Sequence, residues 1–256
     1  FEVKVVSFPQ TWTYDQEGEP RETKSLAELE QLLADKGSEI AAVIIEPLIQ
    51  GSAGMRFCRP EFLEALVRRC RAADILVIYD EVMTGFGRTG TLFACQQQQQ
   101  VPDFICLAKG LTGGFLPLAV TVTSEEIYQN FLCHRFEKAF THGHSYTANP
   151  LGCAVAMASL ALFETEKTFD KIKMIQHVHD ERVAQLAVSG RVTRGRVCGT
   201  IAAMDVEMGE KRYGSSMSQQ LRQSFLTAGL NLRPLGNVVY LMPPYCIEPD
   251  QLHYAY

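Results

Sequence analysis

The sequence predicts an α/β fold in which a mostly parallel sheet forms a large domain and a smaller C-terminal α+β domain follows it. Up to position 123, short β-branched apolar runs of the buried-strand type alternate with amphipathic helical stretches. Such alternation is typical of βαβ units and of a parallel sheet covered on both faces. A long Ala-rich helix at 149–165 then leads into a tail that mixes helices and strands. We therefore expect residues 1–165 to form part of the large domain and residues 166–256 an incomplete small domain.

Individual elements of the first part follow from local signals. Ser25 and Glu28 fit a capping box for a helix over 25–36, and Gly37 supplies a stop signal. Ser124 is a candidate cap for a short helix after position 123. The remaining predictions are a helix at 60–73 and strands at 40–46, 75–80, 103–108 and 118–123.

Residues 166–256 show weaker patterns that still predict individual elements. Residues 196–207 alternate like one half-exposed strand, and residues 237–242 read as another. Helices are predicted at 170–187, at 215–228 and after Pro249. The chain lacks an initial Met and stops where that last helix begins, so we expect a fragment of a longer protein.

Composition excludes several classes of protein. The 256 residues are 46% hydrophobic and 21% charged with a net charge of -5, which gives no basic patch for nucleic acid or an anionic membrane. No apolar run reaches the ~18 residues of a transmembrane helix. Eight cysteines without a CxxC pair favour buried, reduced thiols in a cytoplasmic protein, and Cys106 and Cys153 lie in apolar runs.

Polar side chains follow the predicted strands. Glu46, Asp80 and Lys109 each stand at or just past the carboxyl end of one strand, where ligands bind in parallel sheets. A lysine there is either a helix-capping or snorkelling residue or a desolvated amine that forms a Schiff base. An aspartate after apolar residues is costly to bury unless a cation pairs with it, and a protonated pyridine nitrogen is such a cation. The pair therefore points to pyridoxal 5'-phosphate (PLP) chemistry.

Two other motifs favour less specific interpretations. Gly85, Gly87 and Gly90 form a literal GxGxxG, but no helix clearly follows, so a tight loop is favoured over a dinucleotide site. Two histidines in THGHSYTANP make a poor zinc site, because a third ligand is lacking nearby, and no metal is expected. The hydroxyls and amides of that segment suit a phosphate instead.

Four segments taken together resemble the class III PLP-dependent aminotransferases: IIEPLIQGSAGM, YDEVMTGFGRTG, CLAKGLTGG and HGHSYTANPLGCA. The resemblance is strong over 40–165 and looser in the tail. Within the class, FAC before PDFICLAKGLTGG, HGHSYTANPL and RPLGNVVYLMPPY resemble the aminotransferases of the biotin pathway. This resemblance implies the PLP-dependent transferase fold type I and a homodimer with shared active sites. It also implies transfer of an amino group from S-adenosylmethionine to 8-amino-7-oxononanoate.

The resemblance also implies roles for individual residues. Lys109 and Asp80 are the expected catalytic residues, and both also contact the cofactor. Val82 is expected against the ring of PLP, and His144 and Ser145 at the phosphate of the PLP held by the partner subunit. The expected substrate-binding residues are Gly143, Arg88, Arg233 and Tyr240.

Two alternatives stay open. Another class III enzyme would act on an ω-amino acid such as ornithine or 4-aminobutyrate. The sequence also lacks the family's N-terminal glycine-serine phosphate loop and stacking aromatic residue, so a non-catalytic fragment is the other alternative. Glu46 is expected to have a structural role. Gln50 is expected either to stabilise a turn or to contact the cofactor.

Overall fold

A computed structural model of the protein describes residues 2–207 and 216–256. The helices are α1 Gly18–Lys36, α2 Pro60–Ala72, α3 Glu125–Gln129, α4 Pro150–Thr165, α5 Thr168–Val188, α6 Ser216–Thr227 and α7 Pro249–Ala255. The strands are β1 Ala42–Ile45, β2 Ile49–Gln50, β3 Arg56–Phe57, β4 Leu76–Asp80, β5 Phe104–Leu107, β6 Val120–Thr123, β7 Val192–Cys198, β8 Ile201–Val206 and β9 Val238–Leu241. Position 215, the predicted start of the helix at 215–228, lies outside the described residues.

The main sheet has the strand order β1-β4-β5-β6. Strands β1, β4 and β5 run parallel, and β6 pairs antiparallel with β5. Parallel neighbours need a crossover connection, usually a helix. The link from β5 to β6 contains only a single 3₁₀ turn at Lys109–Thr112, so the chain folds back on itself. The predicted mostly parallel sheet is thus confirmed, with an antiparallel strand at its edge.

One face of this sheet packs against helix α2. Leu63, Val67 and Tyr79 are fully buried in that core. On the opposite face the side chain of Ile44 is 66% exposed. Among the described residues, α1 and α2 contribute to the core that buries Val77 and Tyr79, while the other face is uncovered at Ile44.

The second sheet is antiparallel, in the order β7-β8-β9. Residues 196–207 were expected to form one half-exposed strand, but they divide into the end of β7 and all of β8. Gly199, with φ +57°, begins the tight turn between them. A Cβ atom at this position would lie 2.3 Å from the backbone of Thr89 and Gly90. The glycine therefore permits close contact with the segment that follows β4.

Helix α1 shows a second error of prediction. It begins at Gly18, not at Ser25, and the Ser25 hydroxyl donates a hydrogen bond to the Ser7 carbonyl. Ser25 thus fixes the N-terminal segment against the helix and is not a cap. The cap predicted at Ser124 is confirmed, since its side chain accepts a hydrogen bond from the Ile127 N–H. Asn149 caps α4 in the same way, through the Gly152 N–H.

All eight cysteines are free thiols. Cys58 and Cys70 are buried, but Cys153 is exposed on α4, so the expectation of burial is wrong there. Its apolar neighbours in the sequence form an exposed stretch of helix, with Leu151 and Met157 largely accessible. Among the described residues, no helix combines the length and apolarity needed to cross a membrane.

A buried arginine joins the second sheet to the first part of the chain. Arg196 on β7 is 1% exposed and donates hydrogen bonds to the Met55 carbonyl at 2.7 Å and the Gly54 carbonyl at 3.1 Å. Its charge is paired with Asp205 at 2.8 Å on β8. Both charges are therefore satisfied, as burial requires.

His179 on α5 is fully buried between two partners. Its Nε2 lies 3.2 Å from the Thr200 carbonyl, and its Nδ1 lies 2.7 Å from the Tyr256 hydroxyl. A carbonyl only accepts, so the neutral ring donates from Nε2 and accepts the tyrosine proton at Nδ1. Burial lowers the pKa of His179 from 6.5 to about 4.

We expect this histidine to destabilise the fold in acid. Between pH 6.5 and about 4 the unfolded chain binds a proton at His179 that the folded chain does not. Its contribution of about 3 kcal/mol is thus complete above pH 6.5 and lost as the pH falls toward 4. Urea unfolding across this range will show a smaller loss of stability in His179→Leu than in the parent. The neighbouring exposed His177→Leu is the control, and equal pH dependence in all three proteins would contradict the assignment.

Candidate active site

The pairing of β4 with β5 brings the two expected catalytic residues to one edge of the main sheet. Asp80 is the last residue of β4 and is the register partner of Cys106 on β5. Lys109 follows the end of β5 by two residues. Because the strands are parallel and neighbouring strands lie about 4.8 Å apart, both residues stand at the carboxyl edge of the sheet. Glu46, directly after β1, stands at the same edge.

The backbone at Lys109 is in the left-handed region, with φ +39°. This conformation is strained for a residue with a side chain, and such strain is concentrated at functional positions. The next residue, Gly110, is held on two sides. A Cβ atom there would lie 2.9 Å from the Phe86 side chain, and the Gly110 carbonyl accepts a hydrogen bond from Ser159 of α4 at 3.3 Å. These contacts fix the backbone from which the lysine extends.

The Asp80 carboxylate is half-buried and oriented by the chain that follows it. Its Oδ1 accepts a hydrogen bond from the Val82 N–H at 3.0 Å. Within residues 2–207 and 216–256, neither its Oδ2 nor the Lys109 amine has a hydrogen-bond or ion-pair partner. Asp80 thus offers a half-buried carboxylate oxygen without a cation, and Lys109 an exposed amine without a carboxylate. These are the groups that a protonated pyridine nitrogen and an aldehyde would engage. The donor set therefore fits PLP.

A buried carboxylate that was not singled out from the sequence holds the loop after β4. Glu81 is 0% exposed and accepts hydrogen bonds from the N–H groups of Ala94 at 2.6 Å and Cys95 at 2.9 Å. Burial raises the pKa of Glu81, while these hydrogen bonds act in the opposite direction. The contacts close a loop over 82–93, which contains the glycines predicted to form a tight loop. Gly87 and Gly90 indeed have φ of +95° and +100°.

Arg88 extends from this loop toward the C-terminal part of the chain. Its Nη1 donates hydrogen bonds to the Pro243 carbonyl at 2.6 Å and to Thr200 Oγ1 at 3.3 Å. Its guanidinium carbon lies 4.5 Å from the centre of the Tyr245 ring. The arginine predicted to bind substrate is thus also a link between the two sheets.

The expected phosphate-binding segment is exposed in this chain. The His144 N–H donates to Thr147 Oγ1 at 3.0 Å, and His144 Nδ1 accepts the Tyr146 N–H at 3.1 Å. Gly143 and Ser145 are exposed beside them. These bonds keep the turn in front of α4 folded and leave the Ser145 hydroxyl accessible.

The remaining predicted residues lie farther along the chain. Arg233 is exposed in the segment between α6 and β9. Tyr240 lies on β9, half-buried against the main core. Glu46 accepts the Gly51 N–H at 3.0 Å, and Gln50 pairs with Arg56 in the β2–β3 hairpin, so both have structural contacts. The roles assigned to all these residues stay predictions.

The chain belongs to the class III aminotransferases, because the family pattern "Aminotransferase class-III" matches residues 1–256. Members of this family are in general PLP-dependent. The predicted family and fold class are therefore confirmed.

Several relatives carry one name, adenosylmethionine-8-amino-7-oxononanoate aminotransferase. The relative from Synechococcus elongatus is 48% identical over 256 residues, which are 100% of this chain and 59% of that protein. The relative from Geobacter sulfurreducens is 41% identical over 244 residues, covering 90% of this chain and 52% of that protein. The chain thus spans just over half the length of these relatives.

Solved structures agree with this placement. The enzyme of the same name from Methanocaldococcus jannaschii superposes with a TM-score of 0.83 at 35% identity, covering 92% of this chain and 56% of that chain. A thermostable (S)-enantioselective omega-transaminase from Thermomicrobium roseum gives a TM-score of 0.88 at 28% identity, covering 98% of this chain and 57% of that chain.

Replacing Glu81 tests how the loop is held. In the parent protein, the N–H groups of Ala94 and Cys95 each bind a different oxygen of the Glu81 carboxylate. Glu81→Gln keeps only one of these oxygens, so one buried N–H group loses its acceptor. We expect the free energy of unfolding to fall by about 2 kcal/mol. Amide hydrogen exchange at Ala94 and Cys95 is expected to accelerate. The exposed Glu164→Gln serves as control, and unchanged exchange in Glu81→Gln would rule out this role.

Proposed function

We propose that the complete protein is a PLP-dependent aminotransferase of biotin biosynthesis. In this proposal it transfers an amino group from S-adenosylmethionine to 8-amino-7-oxononanoate. The name shared by the relatives at 48% and 41% identity supports this substrate pair. The observation that carries the proposal is the placement of Asp80 and Lys109, each without a counter-charge among the described residues, at the ends of paired parallel strands.

The proposed roles follow from the chemistry of each side chain. PLP, when bound, withdraws electrons from the carbon that loses a proton. The Lys109 amine would hold the cofactor through a covalent bond. Once the amine of the donor has displaced it, the freed amine would take up and return the proton of the donor's α-carbon. The Asp80 Oδ2 keeps the pyridine nitrogen protonated, while the Val82 N–H orients that carboxylate through Oδ1. The Val82 side chain packs on the ring.

Binding groups complete the proposed site. His144 and Ser145 hold the phosphate of the PLP belonging to the partner subunit, so the proposal includes a homodimer with shared active sites. Arg233 pairs with the carboxylate of the oxo-acid, and Gly143, Arg88 and Tyr240 line the substrate pocket. An arginine suits a carboxylate because its planar donors match the two oxygens. We further propose a cytoplasmic location and a domain division at residue 165.

The lysine provides the first test. We expect the purified complete protein with PLP to show a visible absorbance band that is absent in Lys109→Ala, and amino transfer to fall at least about a thousandfold. Lys167→Ala is a matched control, since Lys167 is exposed and also has a left-handed backbone, with φ +48°. A band that survives in Lys109→Ala would refute the assignment. Absence of the band in every protein would mean that the complete protein does not bind PLP through a lysine, and would refute the proposed function.

Arg233 provides the second test, which addresses the substrate. The parent protein is expected to transfer an amino group from S-adenosylmethionine to 8-amino-7-oxononanoate much faster than from 4-aminobutyrate to 2-oxoglutarate. In Arg233→Ala the KM for the oxo-acid is expected to rise about tenfold or more, because a charged carboxylate loses its partner. Arg191→Ala removes another exposed arginine as control. A preference for the second substrate pair would contradict the biotin assignment.

A second candidate function rests on structural similarity. Acetylornithine aminotransferase from Elizabethkingia anophelis superposes with a TM-score of 0.78 at 31% identity, and the Thermomicrobium roseum structure is an omega-transaminase. The fold therefore also suits a class III enzyme acting on ω-amino acids. The same pair of assays separates this candidate from the first.

A further inference from the structure

We propose that Tyr245 is a positioning residue that orients Arg88 toward substrate and supports the backbone at Lys109 through Phe86. The inference rests on the proposed function, because it assigns Arg88 to the substrate pocket. Tyr245 lies between β9 and α7, so it comes from the C-terminal part of the chain, while both of its targets belong to the first part.

The aromatic ring of Tyr245 holds the guanidinium of Arg88. The guanidinium carbon lies 4.5 Å from the ring centre, which is a cation–π contact. The Nη1 group is occupied by the Pro243 carbonyl at 2.6 Å and Thr200 Oγ1 at 3.3 Å. In the part of the chain that the structure describes, Nε and Nη2 donate to no protein atom. One edge of the guanidinium is therefore anchored, and the other presents two parallel donors, which suit a carboxylate.

The hydroxyl of Tyr245 makes the second contact. It donates a hydrogen bond of 2.6 Å to the Phe86 carbonyl. Burial raises the pKa of Tyr245 to about 12, so the hydroxyl keeps its proton and remains a donor near neutral pH. A Cβ atom on Gly87 would lie 3.2 Å from this oxygen, so the absence of a side chain there permits the approach.

Phe86 connects Tyr245 to the backbone next to Lys109. Its side chain is 3% exposed and touches Gly110 so closely that a Cβ atom on that glycine would lie 2.9 Å away. Gly110 directly follows Lys109, whose backbone is strained. Strained conformations persist only where their surroundings hold them. Tyr245 therefore acts on the lysine through one hydrogen bond and one packing contact.

The two contacts can be separated by substitution. Tyr245→Phe keeps the ring and removes the hydroxyl, whereas Tyr245→Leu removes both. Tyr254→Phe is a matched control, since the Tyr254 hydroxyl also donates to a backbone carbonyl, that of Ala228 at 2.7 Å. Arg88→Ala in the complete enzyme first identifies which substrate depends on the arginine. If Tyr245→Leu does not fold, Tyr245→Met replaces it, because methionine is longer and more flexible and adapts better to an irregular space.

We expect Tyr245→Leu to raise the KM of that substrate about tenfold, and its dissociation constant, measured by calorimetry without turnover, by a similar factor. Adding Tyr245→Leu to Arg88→Ala is expected to change both by less than about twofold, because the two side chains act as one unit. Tyr245→Phe is expected to keep KM within about twofold of the parent and to lower kcat about threefold. Tyr254→Phe is expected to change neither constant.

The outcomes are distinct. An inactive parent protein overturns the proposed function and this inference with it. An active parent in which Tyr245→Leu or Arg88→Ala leaves KM and the dissociation constant unchanged overturns the inference alone. Full additivity in the double variant also overturns it, since Tyr245 would then act independently of Arg88. An unchanged kcat in Tyr245→Phe overturns the connection to Lys109.

Discussion

The register between β4 and β5 is the constraint on which the candidate site depends. Asp80 is paired with Cys106, and the lysine follows three residues later in the same parallel arrangement. Successive side chains of a strand point to opposite faces, so a slip of one residue would turn the carboxylate to the other side of the sheet. Apolar residues specify this register, since Val77 and Tyr79 are fully buried on the face opposite to Asp80.

The loop over 82–93, which follows β4, is held at both of its ends and at its centre. Glu81 closes the base of the loop through the amides of Ala94 and Cys95. The second sheet holds its centre, where the Arg88 carbonyl accepts the Thr200 N–H at 2.9 Å. Residues that are far apart in the sequence, Glu81 and Thr200, thus determine the shape of one short segment. The C-terminal part is therefore a structural component of the site.

The sequence predicted the strand ends well, because buried β-branched runs and the polar residues after them are local signals. The predictions were wrong where contacts between residues distant in the sequence determine the local structure. Ser25 fits the pattern of a cap, but its hydroxyl binds the Ser7 carbonyl. The turn at Gly199 was not predicted, because glycine is required there by close contact with the backbone of Thr89 and Gly90. Glu81 and Tyr245 were not singled out for the same reason. Their partners are 13 and 159 residues away, so no local pattern indicates the contact.

The left-handed backbone of Lys109 has an evolutionary consequence. Glycine adopts this conformation freely, whereas a residue with a Cβ atom is disfavoured by roughly 1 kcal/mol. Selection for a stable fold alone would therefore favour glycine over lysine at this position. Under the proposed function, stability and chemistry favour different residues at position 109, and the role of the amine offsets the conformational cost of its backbone.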